Sequence, residues 1–351
     1  MRFVENCWYM AAWSNELEDG AKLVRRICDL PILFFRSGEA VHAVLDMCPH
    51  RFAPLSCGKL QDGVIECGYH GLTFDGSGAC VRNPHGPITR AMKVQSFPVV
   101  ERYRAMWVWL SDPTLADIDS VPDFSFQDIE IPTAISFGYL QCKGDYRLCV
   151  DNILDLSHVD FLHANTLGGG SIVGTRQEVH EDKDGLTVRW SNSGVPASPF
   201  HIRLGSFPAD AMLDRFTEVT WHPPGTMKLT SAFGQVGSAE RDFSKTVGAH
   251  IMTPETRSTS HYFYSTMRNF RMEDDAFNKE YGRIRDHIFA SEDGSMIAAI
   301  QDRMDNRELF ELRPLSLKID HAAVRVRRRL DTMLKNESGV RMERSVLATG
   351  A

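Results

Sequence analysis

The chain has 351 residues, 43% of them apolar and 24% charged, with a formal net charge of −7. That length suits two domains, and the composition is ordinary for a globular protein. The acidic balance argues against a nucleic-acid-binding face, and no apolar run reaches the ~18 residues of a membrane-spanning helix.

The chain opens MRFVENCWYMAAW, where Glu5 precedes a short apolar stretch from Cys7 to Trp13. An acid so early makes a poor secretory leader, and a cytoplasmic protein is expected. Eight cysteines stand at 7, 28, 48, 57, 67, 80, 142 and 149. In a reducing compartment they are thiols, with any special pair held by metal.

Up to about residue 110 the pattern is short strands between turns. LPILFF (30–35), VHAVLD (41–46), GVIEC (63–67) and MWVWL (106–110) are β-branched or aromatic runs bounded by Gly, Pro, Asp and Ser. A small all-β domain over 1–112 is predicted, and the turn-rich 111–124 marks its boundary. The remainder, 113–351, reads as α+β. Tyr146 to His163 has helix-like apolar spacing. Leu186–Trp190, Met227–Phe233, Thr246–Met252 and Ser260–Met267 read as strands, and Asp274 to about Asp305 and Ala322–Lys335 as helices. The glycine run 168–170 reads as a loop, without the flanking strand and helix of a phosphate-binding fingerprint.

The most informative residues are Cys48-Pro-His50 and Cys67-Gly-Tyr-His70. Two loops each offer one thiolate and one imidazole. Both cysteines can ligate one iron of a [2Fe–2S] cluster and both histidines the other, the Rieske arrangement. A structural Cys2His2 zinc site is the alternative, but such sites pair Cys with Cys and His with His in separate knuckles. Cys57 and Cys80 have no histidine at ligand spacing and default to buried thiols.

Downstream stands Asp151-Asn152-Ile-Leu-Asp155-Leu-Ser-His158-Val-Asp-Phe-Leu-His163. Two histidines with carboxylates nearby are the start of a 2-His-1-carboxylate site for Fe(II). His158 and His163 are five residues apart. On a regular helix that separates them by about 140°, so the helix must end, kink or carry a π-turn between them.

CPHRFAPLS at 48–56, CGYHGLTFDGSGAC at 67–80 and N-x-x-D-x-x-H-x-x-x-x-H together resemble the oxygenase component of Rieske non-haem iron oxygenases. NCWYMAAW, ERYRAMWVWLSDP, DYRLCVDNILDLSHVDFLHANTLG and HIMTPETRSTSHYFYSTMRNF are similar to the vanillate and dicamba O-demethylase and toluenesulfonate methyl-monooxygenase branch. The chain departs from respiratory Rieske proteins: Phe52 and Leu72 stand where that type has a disulfide cysteine and a hydroxyl. Loss of that hydroxyl should lower the cluster potential.

The resemblance implies an all-β Rieske domain and a catalytic domain with an antiparallel sheet and flanking helices, of helix-grip type. It implies one [2Fe–2S] cluster on Cys48, His50, Cys67 and His70, and one mononuclear Fe(II) on His158, His163 and Asp293, with Glu292 the alternative third ligand. Asp155 would bridge His158 to His70 of a neighbouring subunit in a homotrimer, because in this family one chain's two metal sites lie too far apart for fast transfer. Asn152 would approach the iron without binding it. A reductase or ferredoxin would supply electrons, O2 would be the oxidant, and a small aromatic acid bearing a methyl or methoxy group the substrate. O-demethylation with formaldehyde release is the expected reaction; N-demethylation, methyl hydroxylation and ring dihydroxylation are the alternatives. A non-catalytic electron-transfer protein would need only about the first 110 residues. His250 and Asn269 are candidate substrate contacts, and Arg268 and Arg271 could attract a carboxylate.

Overall fold

A computed structural model describes residues 3–348 apart from 169–171, 174, 176, 199–200, 203–206, 209 and 306; from 338 onward it describes the helical backbone alone. Positions 169 and 170 of the glycine run therefore lie outside the described residues.

The described chain forms two compact units, one of Phe3–Asp123 with Thr253–Thr256 and the other of Phe124–Met252 with the chain from Arg257 onward. The segment read as a boundary, 111–124, belongs to the first unit as far as Asp123.

Eleven strands build the first unit: β1 (Trp8–Trp13), β2 (Lys22–Ile27), β3 (Leu30–Ser37), β4 (Ala40–Leu45), β5 (Lys59–Gln61), β6 (Val64–Glu66), β7 (Thr73–Phe74), β8 (Cys80–Arg82), β9 (Ser96–Phe97), β10 (Val99–Arg102) and β11 (Ala105–Trp109). They form sheets ordered β1-β11-β10, β2-β3-β4-β9 and β5-β6-β7-β8. Strands β1 and β11 are buried along their whole length, as their unbroken apolar runs require. Thr253–Thr256 joins this unit through main-chain bonds from Cys28 N to Pro254 O and from Asp29 N to Glu255 O.

The second unit carries one seven-stranded antiparallel sheet ordered β12-β18-β17-β16-β15-β14-β13. Its strands are β12 (Ile135–Cys142), β13 (Gln177–Glu181), β14 (Leu186–Pro196), β15 (Met212–His222), β16 (Thr226–Gln235), β17 (Ser244–Pro254) and β18 (Ser260–Arg268). The four stretches read as strands are all present, within longer elements. Strands β12, β13 and β15 were not foreseen.

Four helices complete the unit: α1 (Tyr146–Leu154), α2 (Asp275–His287), α3 (Gly294–Met304) and α4 (His321–Ala348). The π-helical stretch Ile288–Asp293 joins α2 to α3. Asp145 caps α1 by accepting from Arg147 N at 2.8 Å. Asp151 of α1 pairs with Arg327 of α4, 2.6 Å from Nη2, and Asp145 N donates to Gln301 Oε1 of α3 at 2.8 Å. These bonds fix α1, and with it the histidine segment that follows. No helix among the described residues is long and apolar enough to cross a membrane.

Candidate metal centres and substrate cavity

The two cysteine–histidine loops are built alike. Cys48 N donates to Ala53 O and Phe52 N to Cys48 O; Cys67 N donates to Leu72 O and Gly71 N to Cys67 O, all at 2.8–3.0 Å. Each loop turns back at its fifth residue, which has positive φ: +59° at Phe52 and +72° at Gly71. Glycine adopts that conformation without steric cost. At Gly71 a Cβ would also lie 3.1 Å from Pro84 Cγ.

The turns bury both cysteines in a core with Leu55, Leu72 and Phe74, while the histidine rings meet at a centroid distance of 4.5 Å. Two thiols from the interior and two imidazoles from the tip fit a cluster with cysteines on one iron and histidines on the other. Cys57 is exposed and Cys80 buried, with Cys80 Sγ on Arg82 O at 3.3 Å.

In the second unit α1 ends at Leu154, and a short 3-10 helix, Leu156–Asp160, carries His158. Phe161 N and Leu162 N both turn back to His158 O, at 3.0 and 2.7 Å. The helix thus breaks between the histidines, as their spacing demands, and their ring centroids lie 5.1 Å apart. The π-helical stretch occurs on the carboxylate's side of the site, ending at Asp293.

His158 Nε2 lies 3.6 Å and His163 Nε2 3.1 Å from Asp293 Oδ1. Ligand atoms of the three residues fall within 4.8 Å of one another, a fit to one metal ion with two imidazoles and a carboxylate. Asn152 Nδ2 donates to Asp293 Oδ1 at 3.0 Å. Glu292 takes the opposite side of His163, with Oε2 2.5 Å from Nδ1 and accepting from Thr166 Oγ1 at 3.0 Å. The neighbouring carboxylates therefore divide the imidazole between them, Asp293 facing its inner nitrogen and Glu292 its outer one.

Burial lowers the pKa of His158. Burial pulls His163 the same way, but the bonds and charges of Asp293 and Glu292 outweigh it and raise the ring's pKa.

Asp155 differs from its expected role within the chain. Its main-chain carbonyl, not its carboxylate, meets His158 Nδ1. The carboxylate caps the 3-10 helix, with Oδ1 accepting from Ser157 N at 2.9 Å. A residue three positions before the histidine in a tight 3-10 turn presents its carbonyl to the ring.

The three residues line a cavity of about 200 Å³ walled largely by apolar groups, including Ile153, Leu156, Leu229, Ile288 and Phe289. His250 lines it too. Its Nδ1 lies 2.6 Å from Tyr262 Oη, and burial lowers its pKa to about 3.

Asn269 does not line the cavity. It is exposed, just past the end of β18, and both amide atoms are spent on main chain: Oδ1 accepts from Lys245 N at 2.6 Å and Nδ2 donates to Phe243 O at 3.1 Å. Arg268 is buried and bonded to Asn278, Thr133, Arg271 and Asp274, and Arg271 pairs with Asp274 at 2.5 Å. Neither faces the cavity. Two cations unforeseen from the sequence do, Arg215 of β15 and Arg285 of α2. The alternation in MLDRFTEVTWH was the available signal, since it puts Arg215 on one face with Thr217 and Trp221.

The Rieske [2Fe-2S] domain model matches residues 7–98, and the vanillate O-demethylase oxygenase C-terminal domain model matches 142–336. The oxygenase component of chloroacetanilide N-alkylformylase from Rhizorhabdus wittichii is 38% identical, over 95% of this chain and 97% of that protein. The oxygenase component of dicamba O-demethylase from Stenotrophomonas maltophilia is 36% identical, over 96% and 100%. A crystal structure of dicamba monooxygenase with non-haem iron and dicamba superposes with a TM-score of 0.82 at 34% identity, covering 97% of this chain and 99% of that one. The chain therefore belongs to the Rieske non-haem iron oxygenases of the vanillate and dicamba O-demethylase branch, as an oxygenase component that carries one [2Fe–2S] cluster and one mononuclear iron and takes its electrons from a partner reductase or ferredoxin.

Proposed function

We propose that this oxygenase hydroxylates the methyl of a methoxy group on a small aromatic acid. The hydroxymethyl ether then collapses to a phenol and formaldehyde. The balance is one aryl methyl ether, O2, two electrons and two protons giving phenol, formaldehyde and water. The observation that carries the reading is the two-histidine, one-carboxylate group in the wall of a mainly apolar cavity.

In this reading Cys48, His50, Cys67 and His70 hold the cluster, and His158, His163 and Asp293 hold the iron. Together the two centres supply O2 activation with externally delivered electrons. Everything else falls to the chain. Asn152 donates to the Asp293 carboxylate and sets its orientation. The Asp155 carbonyl and the Glu292 carboxylate hold the outer nitrogens of His158 and His163, which fixes both tautomers. Ile153, Leu156 and Phe289 surround the aryl ring and exclude water. Burial keeps His250 neutral. A Tyr262 hydroxyl donating to Nδ1 leaves the proton on Nε2, available to a substrate oxygen.

The protein is a cytoplasmic homotrimer. A head-to-tail ring sets one subunit's cluster beside its neighbour's iron. The free thiols, including Cys142 and Cys149 at 3.3 Å, fit a reducing compartment.

The test is turnover with a surrogate reductase on methoxybenzoates, N-methylated anilines and methylarenes. Formaldehyde equimolar with a phenol is the expected outcome, and a stable benzylic alcohol or a cis-diol as the main product refutes it. Formaldehyde with an aniline as co-product is the alternative reading, to which the likeness to the N-alkylformylase component lends support.

A further inference from the structure

We propose that the substrate's oxyanion lies at the end of the molecule remote from the oxidised carbon and pairs with Arg215. This deepens the demethylation reading and rests on it for the position of the reacting methyl.

The sheet register sets the distance. Arg215 stands opposite Phe233, Thr217 opposite Ser231 and Ser231 in turn opposite Thr246, Leu229 opposite Gly248, and Met227 opposite His250. These are successive rows on one face. The His250 row belongs to the metal end, because His250 packs at 5.5 Å on Phe289, in the π-helical stretch that ends at Asp293. From that row to Arg215 is three two-residue steps, about 20 Å of strand at ~3.3 Å per residue. Side chains reaching inward shorten the span, but it stays longer than one benzene ring. Small groups line its middle: Thr217, Ser231, Thr246 and Gly248.

Arg215 is singled out by what it lacks. Its Nη2 is buried with no hydrogen-bond partner, and its side chain makes no ion pair among the described residues. The opposing charge that acts on it, Asp160, forms no ion pair with it among the described residues, and its Oδ2 accepts from the amides of Ile172 and Val173 at 2.8 and 2.9 Å. The other guanidinium on the cavity is committed: Arg285 donates to Ser136 Oγ, Thr266 Oγ1 and Asp286 Oδ1. His201, next to Arg215, is held neutral by burial, with a pKa of about 4, and supplies no counter-charge.

A half-buried guanidinium whose buried Nη2 has no partner is costly in the ligand-free protein unless it has another task. Its planar fork matches a carboxylate or sulfonate. The apolar ring of Phe233 beside it keeps water from competing with a bound anion.

Calorimetry on the iron-loaded holoenzyme, under argon and without reductant, tests the site without turnover. The probes are 3-(4-methoxyphenyl)propanoate, its primary amide, 4-methoxybenzenesulfonate and 2-methoxybenzoate. The expected result is an acid at least tenfold tighter than its amide and than the ortho acid, with the sulfonate grouping with the long acid. Arg215→Gln brings the acid down to the amide's affinity and leaves the amide within about twofold. Arg215→Lys falls between. Arg215→Met melts no lower than wild type without ligand, since no internal bond is lost. A wild-type protein without acid preference, an Arg215→Gln protein that keeps it, or a marked drop in the melting temperature of Arg215→Met overturns the assignment. Formaldehyde is scored separately. Acid binding through Arg215 with no formaldehyde refutes demethylation and leaves the anion site. Equal binding and demethylation of acid and amide refute the anion site alone.

Discussion

The sharpest perturbation separates two neighbouring carboxylates. Asp293 stands 3.1 Å from His163 Nε2 and 3.6 Å from His158 Nε2, whereas Glu292 stands 2.5 Å from His163 Nδ1. Asp293→Ala removes a metal ligand and should abolish mononuclear iron binding. Glu292→Ala removes an outer partner. The His163 side chain is 2% exposed, so water cannot readily replace the lost acceptor. Losing such a partner costs about 10- to 100-fold in metal affinity, or about 1.4–2.8 kcal/mol. Glu292→Gln keeps an acceptor of the same reach and loses only the charge. It should cost less, about tenfold. Chelator competition followed by iron analysis reads all three, with the visible spectrum of the cluster as the internal control. The reasoning fails if Glu292→Ala empties the iron site while Asp293→Ala retains it.

Wild-type protein should carry about three irons per chain and be red-brown, and Cys67→Ala should lose the cluster spectrum while keeping the mononuclear iron. Cys57→Ser and Cys80→Ser should keep both, as iron analysis and electron paramagnetic resonance of the reduced form will report. Acid should destabilise the fold through His201, whose pKa of about 4 lies below the usual 6.5 because the ring is buried. Above pH 6.5 both states are neutral and this contribution is complete. As pH falls from 6.5 toward 4 the unfolded chain binds the proton first, which removes up to about 3 kcal/mol. Melting temperatures from pH 7 to 4.5 should fall less steeply in His201→Asn, and an unchanged slope would exclude His201 as the source.

The cluster loops were legible because their ligands are local: two residues apart in one loop, three in the other, with a glycine at the turn of the second. The histidine pair was legible for a related reason. A five-residue spacing cannot share a metal on a regular helix, and the helix does end between the two. Strand β15 was missed although its alternation is present, since charged and hydroxylated residues occupy many of its positions, and Arg215 went unseen with it. Asn269 looked like a cavity residue because it follows a buried strand, but β18 ends one residue earlier and turns it outward. The division of labour between Glu292 and Asp293 depends on a π-helical stretch, a change of helical phase with no signal in local composition.

Asp155 brings these strands of reasoning to an experimental choice. Within the chain its contact to His158 runs through the main-chain carbonyl, which no side-chain substitution removes. Its carboxylate has one oxygen on Ser157 N, and Oδ2 has no partner among the described residues. That oxygen is the one available to His70 of a neighbouring subunit in the proposed trimer. Asp155→Asn keeps the size and an acceptor for Ser157, so the helix cap, both metals and the His158 orientation should survive. What changes is the charge facing the neighbour's imidazole, worth more to a charge-assisted bond than to a neutral one. The expected result is a trimer by sedimentation, normal iron content, and single-turnover oxidation of the reduced cluster slowed at least tenfold. Transfer at the wild-type rate would mean that electrons do not pass through the Asp155 carboxylate and that its main-chain carbonyl, holding His158, is this residue's whole contribution.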